Sequence, residues 1–200
     1  MATIDGTTLE RIRLALFKDA TDETHDDQLS LLITEASAQV EAWIGRPFLI
    51  QTFVELHEVE DPRQKSLFLE AAPVASITSL EYDSTGQYSG DESTQDADIY
   101  ILDLRTGELR FRNQPSLGFN CWRVTYSAGL AATTEALIAA YPLVARAIDL
   151  QVVALYHRID DPQAMERSLG GASVKLTETM GLTRAAQETS SPHRMIRFPL

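Results

Sequence analysis

The spacing of apolar residues is helical up to about residue 48, strand-like to about residue 128, and helical again from about residue 133. Ile4, Leu9, Ile12 and Leu16 open the chain close to a 3.6-residue period and predict a helix over about 9–17. Thr7-Thr8-Leu9-Glu10 before it fits a capping box, in which a threonine hydroxyl accepts the amide three residues on. Leu29, Leu32, Ile33, Ala36, Val40, Trp43 and Ile44 then form one continuous stripe, predicting a helix over about 28–44. Asp26 and Asp27 sit where an N-cap belongs, with carboxylates facing the positive end of the helix dipole. Gly45 suits a left-handed C-cap, and Pro47 forbids continuation.

From Phe48 the period falls to two. Ile50, Thr52, Val54 and Leu56 alternate with Gln51, Phe53, Glu55 and His57, which reads as a strand. Further strands are predicted at 66–70, 75–83, 99–104, 108–112 and 121–127, with a tight hairpin at Arg105-Thr106-Gly107-Glu108. The segment 83–98 holds two glycines and five acidic residues and is expected to be an exposed, mobile loop. Thr133 or Thr134 can cap a short helical turn through Ala140, and Pro142 suits the first position of a helix over about 142–158. Leu143, Ile148, Val152 and Leu155 on that helix are expected to pack against the stripe Leu29, Leu32, Ile33, Ala36 and Val40.

These elements define an α+β chain: a small helical bundle with an antiparallel β unit inserted at about 48–128, forming one domain over 1–159. Residues 160–200 form an extended C-terminal tail or arm, polar but carrying Met165, Leu169, Val174, Leu176, Met180, Leu182, Ile196 and Phe198. Such a tail is expected to dock, either on a partner or on its own core. Its last segment sets Met195, Ile196, Phe198 and Leu200 beside Arg194 and Arg197, a mixture suited to an interface anchor. The expectation is a tail that is mobile in the free subunit and orders on assembly.

Composition narrows the function. Of 200 residues 44% are hydrophobic, which excludes a wholly disordered chain. The longest nearly unbroken apolar run, Ala136–Ala145, has ten residues and contains Pro142. A bilayer-spanning helix needs about 20, so a soluble intracellular protein without a secretory signal is expected. The net charge of −12 is unevenly placed: residues 1–150 carry 11 basic and 24 acidic side chains (−13), and 151–200 carry 6 and 5 (+1). Wrapping nucleic acid through phosphate contacts needs a concentrated Lys/Arg surface, which this body lacks.

Chemistry-bearing motifs are missing. No Gly-x-Ser-x-Gly, Gly-Lys-Ser/Thr or Gly-x-Gly-x-x-Gly sequence is present. The lone Cys121, on a predicted strand, reads as a buried inert thiol, and His25, His57, His157 and His193 show no ligand spacing. The acidic groups Asp19, Asp22, Glu23, Asp26 and Asp27, and Asp83, Asp91, Glu92, Asp96 and Asp98, lack the spacing of a calcium loop and read as solvated charge. No catalytic residue, metal or cofactor is therefore expected.

One ordered series changes the picture: Asp26-Asp27-x-Leu29-x-x-Leu32-Ile33-x-x-Ala36-x-x-x-Val40-Glu41-x-x-x-Gly45-Arg46-Pro47, then strands, then Tyr126-Ser127-Ala128-Gly129, then Pro142-Leu143-x-x-x-Ala147-Ile148 and a helix ending Ala154-Leu155-Tyr156-His157-Arg158. Over about residues 5–160 this resembles the head–tail connector family of tailed phages and gene transfer agents, its adaptor or head-completion proteins. The resemblance implies a dodecameric ring of this chain under a portal protein, with a tail-side connector or stopper as second partner. DNA would pass through the centre without specific binding, and no membrane would be involved. The chain would work first in the host cytoplasm and then in the particle neck. Arg194, Met195, Ile196, Arg197, Phe198 and Leu200 are the residues expected to grip the portal or an adjacent subunit. Two other classes stay open on the residues alone. One is a small acidic interaction domain regulating another assembly; the other is a hydrolase whose paired carboxylates are dispersed in sequence.

Overall fold

The computed structural model describes residues 5–17, 19–21, 23–90, 92–160 and 182–194, with side chains omitted at 159 and 160. The described residues divide into two compact units. One holds those up to Leu49 and those from Ala131 onward; the other holds 50–130. The class is α+β, as the sequence predicts.

The first unit contains α1 (Leu9–Phe17), α2 (Asp26–Ile44), α3 (Thr134–Ala140), α4 (Pro142–Asp160) and α5 (Arg184–Ser190), followed by a 3-10 turn (Ser191–His193). The predicted stripe on α2 is the buried face, with Leu29, Ala36, Val40 and Ile44 fully covered and Leu32 and Ile33 nearly so. Gly45 adopts the left-handed conformation (φ 71°, ψ 27°) and its N–H donates to the Glu41 carbonyl at 2.8 Å, closing the helix as its sequence requires. Thr133 is the cap of α3, its hydroxyl accepting the Ala136 N–H at 3.2 Å.

Two expected caps are used differently. Asp26 and Asp27 lie inside the first turn of α2, and His25 is the N-cap residue without a side-chain cap bond. The Asp26 carboxylate is claimed instead by the fork of Arg13, whose Nε donates to Oδ1 at 2.8 Å and whose Nη2 donates to Oδ2. Nη1 of the same guanidinium donates to the Ala20 carbonyl at 2.9 Å, so one side chain on α1 fixes the connection to α2. Likewise the Thr7 hydroxyl donates to Asp149 Oδ1 on α4 at 2.6 Å. Leu143, expected in the core, is 45% exposed, and Val144, Ala145 and Ala147 take its place beside Ile148 and Val152. At 100° per residue Leu143 lies about 140° from Ile148 and about 180° from Val152, which turns it outward.

The chain enters and leaves this unit at one point: Leu49 and Ala131 form a parallel bridge, and the Ala131 N–H donates to the Phe48 carbonyl at 3.0 Å. The N-terminal residues thread the bundle beside it. The Gly6 N–H donates to Ser37 Oγ at 3.1 Å, and a Cβ on Gly6 would lie 2.3 Å from Ile148 Cδ1, so a side chain there would have to displace that methyl.

The second unit contains β1 (Gln51–Val59), β2 (Ser66–Phe68), β3 (Val74–Tyr82), β4 (Ser93–Thr94), β5 (Tyr100–Asp103), β6 (Glu108–Phe111) and β7 (Gly118–Ala128). They form an antiparallel four-stranded sheet, β1-β7-β3-β4, and an antiparallel three-stranded sheet, β2-β6-β5. The inward residues of both share one core: Val59, Leu80, Trp122, Val124, Tyr126 and Ala128 from the first, and Leu67, Leu109 and Phe111 from the second. Phe111 and Trp122 meet across it with ring centroids 4.8 Å apart. On β1 the period is as predicted, and the inward face carries Phe53, Glu55 and His57 while Val54 (61%) and Leu56 (48%) are exposed. The register explains the choice, because Phe53, Glu55 and His57 stand opposite the inward Tyr126, Val124 and Trp122 of β7.

The inward Glu55 is satisfied locally. Tyr126 donates its hydroxyl proton to it, the Glu70 N–H lies 3.0 and 3.1 Å from its two oxygens, and His57 Nε2 is 3.1 Å away. Burial opposes ionisation of this carboxyl, yet the donors from His57, Tyr126 and Glu70 together hold it below its ordinary value of 4.5. Within the segment 83–98, expected to be an exposed, mobile loop, β4 pairs with β3, and Asp83 accepts the N–H groups of Thr85 (2.8 Å), Gln87 (3.1 Å) and Tyr88 (2.6 Å). Arg123 reinforces it, donating to Glu81 at 2.6 Å and Glu92 at 3.1 Å, with its guanidinium 4.2 Å from the Tyr88 ring centre.

Two outcomes test this description. Leu32→Ala costs about 2–5 kcal/mol in denaturant unfolding, because it empties a covered site between helices. Glu55 has a folded value below its unfolded 4.5, so its stabilisation is complete above that pH and is lost as pH falls below it. Glu55→Gln therefore flattens the acid limb of the thermal midpoint measured against pH.

Candidate assembly surfaces

The clearest place where a segment predicted to be functional meets the folded body is the C-terminal end of α2. A buried amide prepares it. Gln151 on α4 is 1% exposed; its Nε2 donates to Gln39 Oε1 on α2 at 2.6 Å, and its Oε1 accepts the Thr183 N–H at 2.9 Å. Thr183 in turn caps α5, its hydroxyl accepting the Ala186 N–H at 3.3 Å. Leu182, Ala186 and Ser190 are fully buried, so the returning chain is part of the helical core. The 3-10 turn then sets His193 edge-on to Tyr141, centroids 5.6 Å apart, and Arg194 over Trp43, 4.3 Å from the ring centroid.

Of the six residues expected at a partner surface, Arg194 is placed here; Met195, Ile196, Arg197, Phe198 and Leu200 lie outside the described residues. The expectation of mobility in the tail falls on 161–181 and 195–200, which are also outside them. For 182–194, self-packing is what the structure shows. Two polar atoms at this end of α2, Trp43 Nε1 and Arg46 Nε, are buried and have no hydrogen-bond partner among the described residues.

The other candidate groups are structural. Cys121 is fully buried, its Sγ donating to the Gly118 carbonyl at 3.1 Å, and burial pushes the thiol up, away from thiolate. His25 stacks on Phe17 at 5.4 Å, and Tyr156 meets Phe17 edge-on at 5.7 Å. Asp83, read in sequence as solvated charge, is 3% exposed and organises a turn; its amide donors hold it below its ordinary value. Among the described residues no three His, Cys, Asp or Glu side chains converge as metal ligands. No single described helix is long and apolar enough to cross a membrane. Sequence reasoning did not reach Gln151, Asp149 or Trp43 as organisers, since their partners lie far away along the chain.

A family model described as head completion protein matches residues 13–196. The chain belongs to the head completion protein family. The match runs from within α1 through the rest of the helical unit, the β unit and the segment carrying α5. Three solved structures share the fold. A chain in the neck of an empty gene transfer agent (GTA) particle, computed with C6 symmetry, aligns with a TM-score of 0.66 at 19% identity, over 100% of this chain and 95% of the other. A chain in the neck of the native GTA particle, computed with C12 symmetry, gives 0.59 at 20% identity over 100% and 95%. A chain in the virion of the native GTA particle gives 0.59 at 19% identity over 87% and 80%. No curated protein matches the chain.

Gln151→Ala leaves the Thr183 N–H and the Gln39 amide without their buried partner. The expected cost is about 1–3 kcal/mol. It is read as faster hydrogen exchange in α5 than in α2.

Proposed function

We propose that this head completion protein is a head–tail adaptor, assembling as a ring between the portal and the tail of a phage-like particle and leaving a central path for DNA. The observation that carries the reading is the family match over residues 13–196. The likeness of nearly the whole fold to chains in GTA necks supports it. In this reading the portal lies on one side, a tail-side connector or stopper on the other, and the remaining contacts are with neighbouring copies of the same chain in a dodecameric ring. A closed ring of identical subunits requires two different, complementary surfaces on each. The acidic body suits a conduit, because like charge discourages DNA from adhering. The protein acts in the host cytoplasm during assembly and then in the neck, and its work is structural, with no catalysis, metal or cofactor. Arg194, Met195, Ile196, Arg197, Phe198 and Leu200 supply the gripping segment.

The chain cut after Ser191 keeps Leu182, Ala186 and Ser190 in the core and loses the Arg194–Trp43 contact with all that follows. It is expected to fold with an unchanged circular dichroism spectrum and to fail in joining heads to tails, scored as DNA-delivering particles. Native mass measurement of the intact chain, alone and with the portal, is expected to show a ring. A monomer under both conditions would instead favour a small acidic interaction domain.

A further inference from the structure

Strand β1 ends its sheet: β7 pairs with one side of it, and no described strand or loop backbone bonds to the other. It is nine residues long, has no proline and no lysine, and its outward face carries the exposed Val54 and Leu56 after Thr52. An edge of this kind is a template for another strand, because alternate residues direct unpaired N–H and C=O groups away from the sheet. The charges along and just after it are acidic: Glu55, Glu58, Glu60 and Asp61.

The C-terminal segment has the complementary pattern. Ile196, Phe198 and Leu200 alternate with Arg197 and Pro199, the two-residue period of a strand with one apolar face. Arg194, which leads into it, already has extended backbone (φ −65°, ψ 133°). We infer that residues 195–200 of one copy add antiparallel to the free edge of β1 in the next copy, locking adjacent ring subunits together. One register satisfies the pattern: Ile196 opposite Leu56, Phe198 opposite Val54, Leu200 opposite Thr52, and Arg197 opposite Glu55. Apolar residues then pair on the outer face, and opposite charges meet on the inner one. Pro199 fits only if Arg197 and Pro199 point their backbone away from β1, since proline has no N–H to give the ladder. Backbone bonds would supply the affinity and the alternating side chains the register. The inference rests on the ring reading above and names the surface that reading leaves open.

The test mixes chains carrying Leu56→Cys with chains carrying Ile196→Cys under conditions where the ring forms, followed by mild oxidation and a non-reducing gel. The unsubstituted chain, with only the buried Cys121, is the background control. A between-chain disulfide is expected for this pair and not for Thr52→Cys with Ile196→Cys, whose positions stand about 13 Å apart in the register above. Val54→Lys, an exposed position, is expected to keep the circular dichroism spectrum and lose the ring. Rings that form without the Leu56–Ile196 disulfide, or that tolerate Val54→Lys, overturn the edge-pairing while leaving the ring intact. A disulfide that forms only within a doubly substituted chain overturns it in favour of a strap on the same copy. A chain that forms no ring alone or with the portal removes both readings.

Discussion

A helix covered on most of its sides can keep polar side chains only where other segments come to satisfy them, and α4 is organised by that constraint. It buries Asp149 and Gln151 among Val144, Ala145, Ala147, Ile148 and Val152. Asp149 takes the Thr7 hydroxyl and the Arg11 guanidinium, both at 2.6 Å, and Gln151 takes the amide that opens α5. A buried carboxylate or amide left unpaired costs more than the bond itself is worth, so these two residues select which pieces of chain may cover the helix. The segment before α1 and the segment before α5 are the ones that fit. Apolar packing holds the bundle; the polar pair decides its composition.

That division explains what could be read in the sequence. The α2 stripe, Gly45, Thr133 as a cap and the strand period are local signals, each complete within a few residues. They survive folding because nothing distant overrides them. Leu143 was also a local matter, since its angular distance from Ile148 turns it outward. The inward face of β1 was not legible, because Val54 and Leu56 are more apolar than Glu55 and His57. The register with β7 and the donors on Tyr126 and Glu70 reverse that preference. Arg13 with Asp26, Thr7 with Asp149 and Gln151 with Thr183 join residues whose separation carries no periodic signal. At the candidate surface, the sequence singled out Arg194 together with the residues that follow it. Its seat on Trp43 was invisible without the fold.

Charge and architecture point the same way. Two of the acidic residues that sequence assigns to solvent, Asp83 and Glu92, are consumed inside the β unit, where Asp83 holds a turn and Glu92 joins Glu81 in holding an arginine. These carboxylates are held in place by amide donors and an arginine, so the β unit fixes part of the negative charge that makes the body acidic.

The bridge between Leu49 and Ala131 has a consequence for how such a protein can change. To the helical unit, the β unit is a single long excursion whose two ends are already clasped. Lengthening or shortening an excursion with fixed ends alters its closure entropy only logarithmically, by about 0.6 kcal/mol for each doubling. Strands and turns can therefore be gained, lost or re-sized between those two residues at small thermodynamic cost to the helices. The clasp makes the middle of the chain the region most open to remodelling, and the helical frame the part that stays.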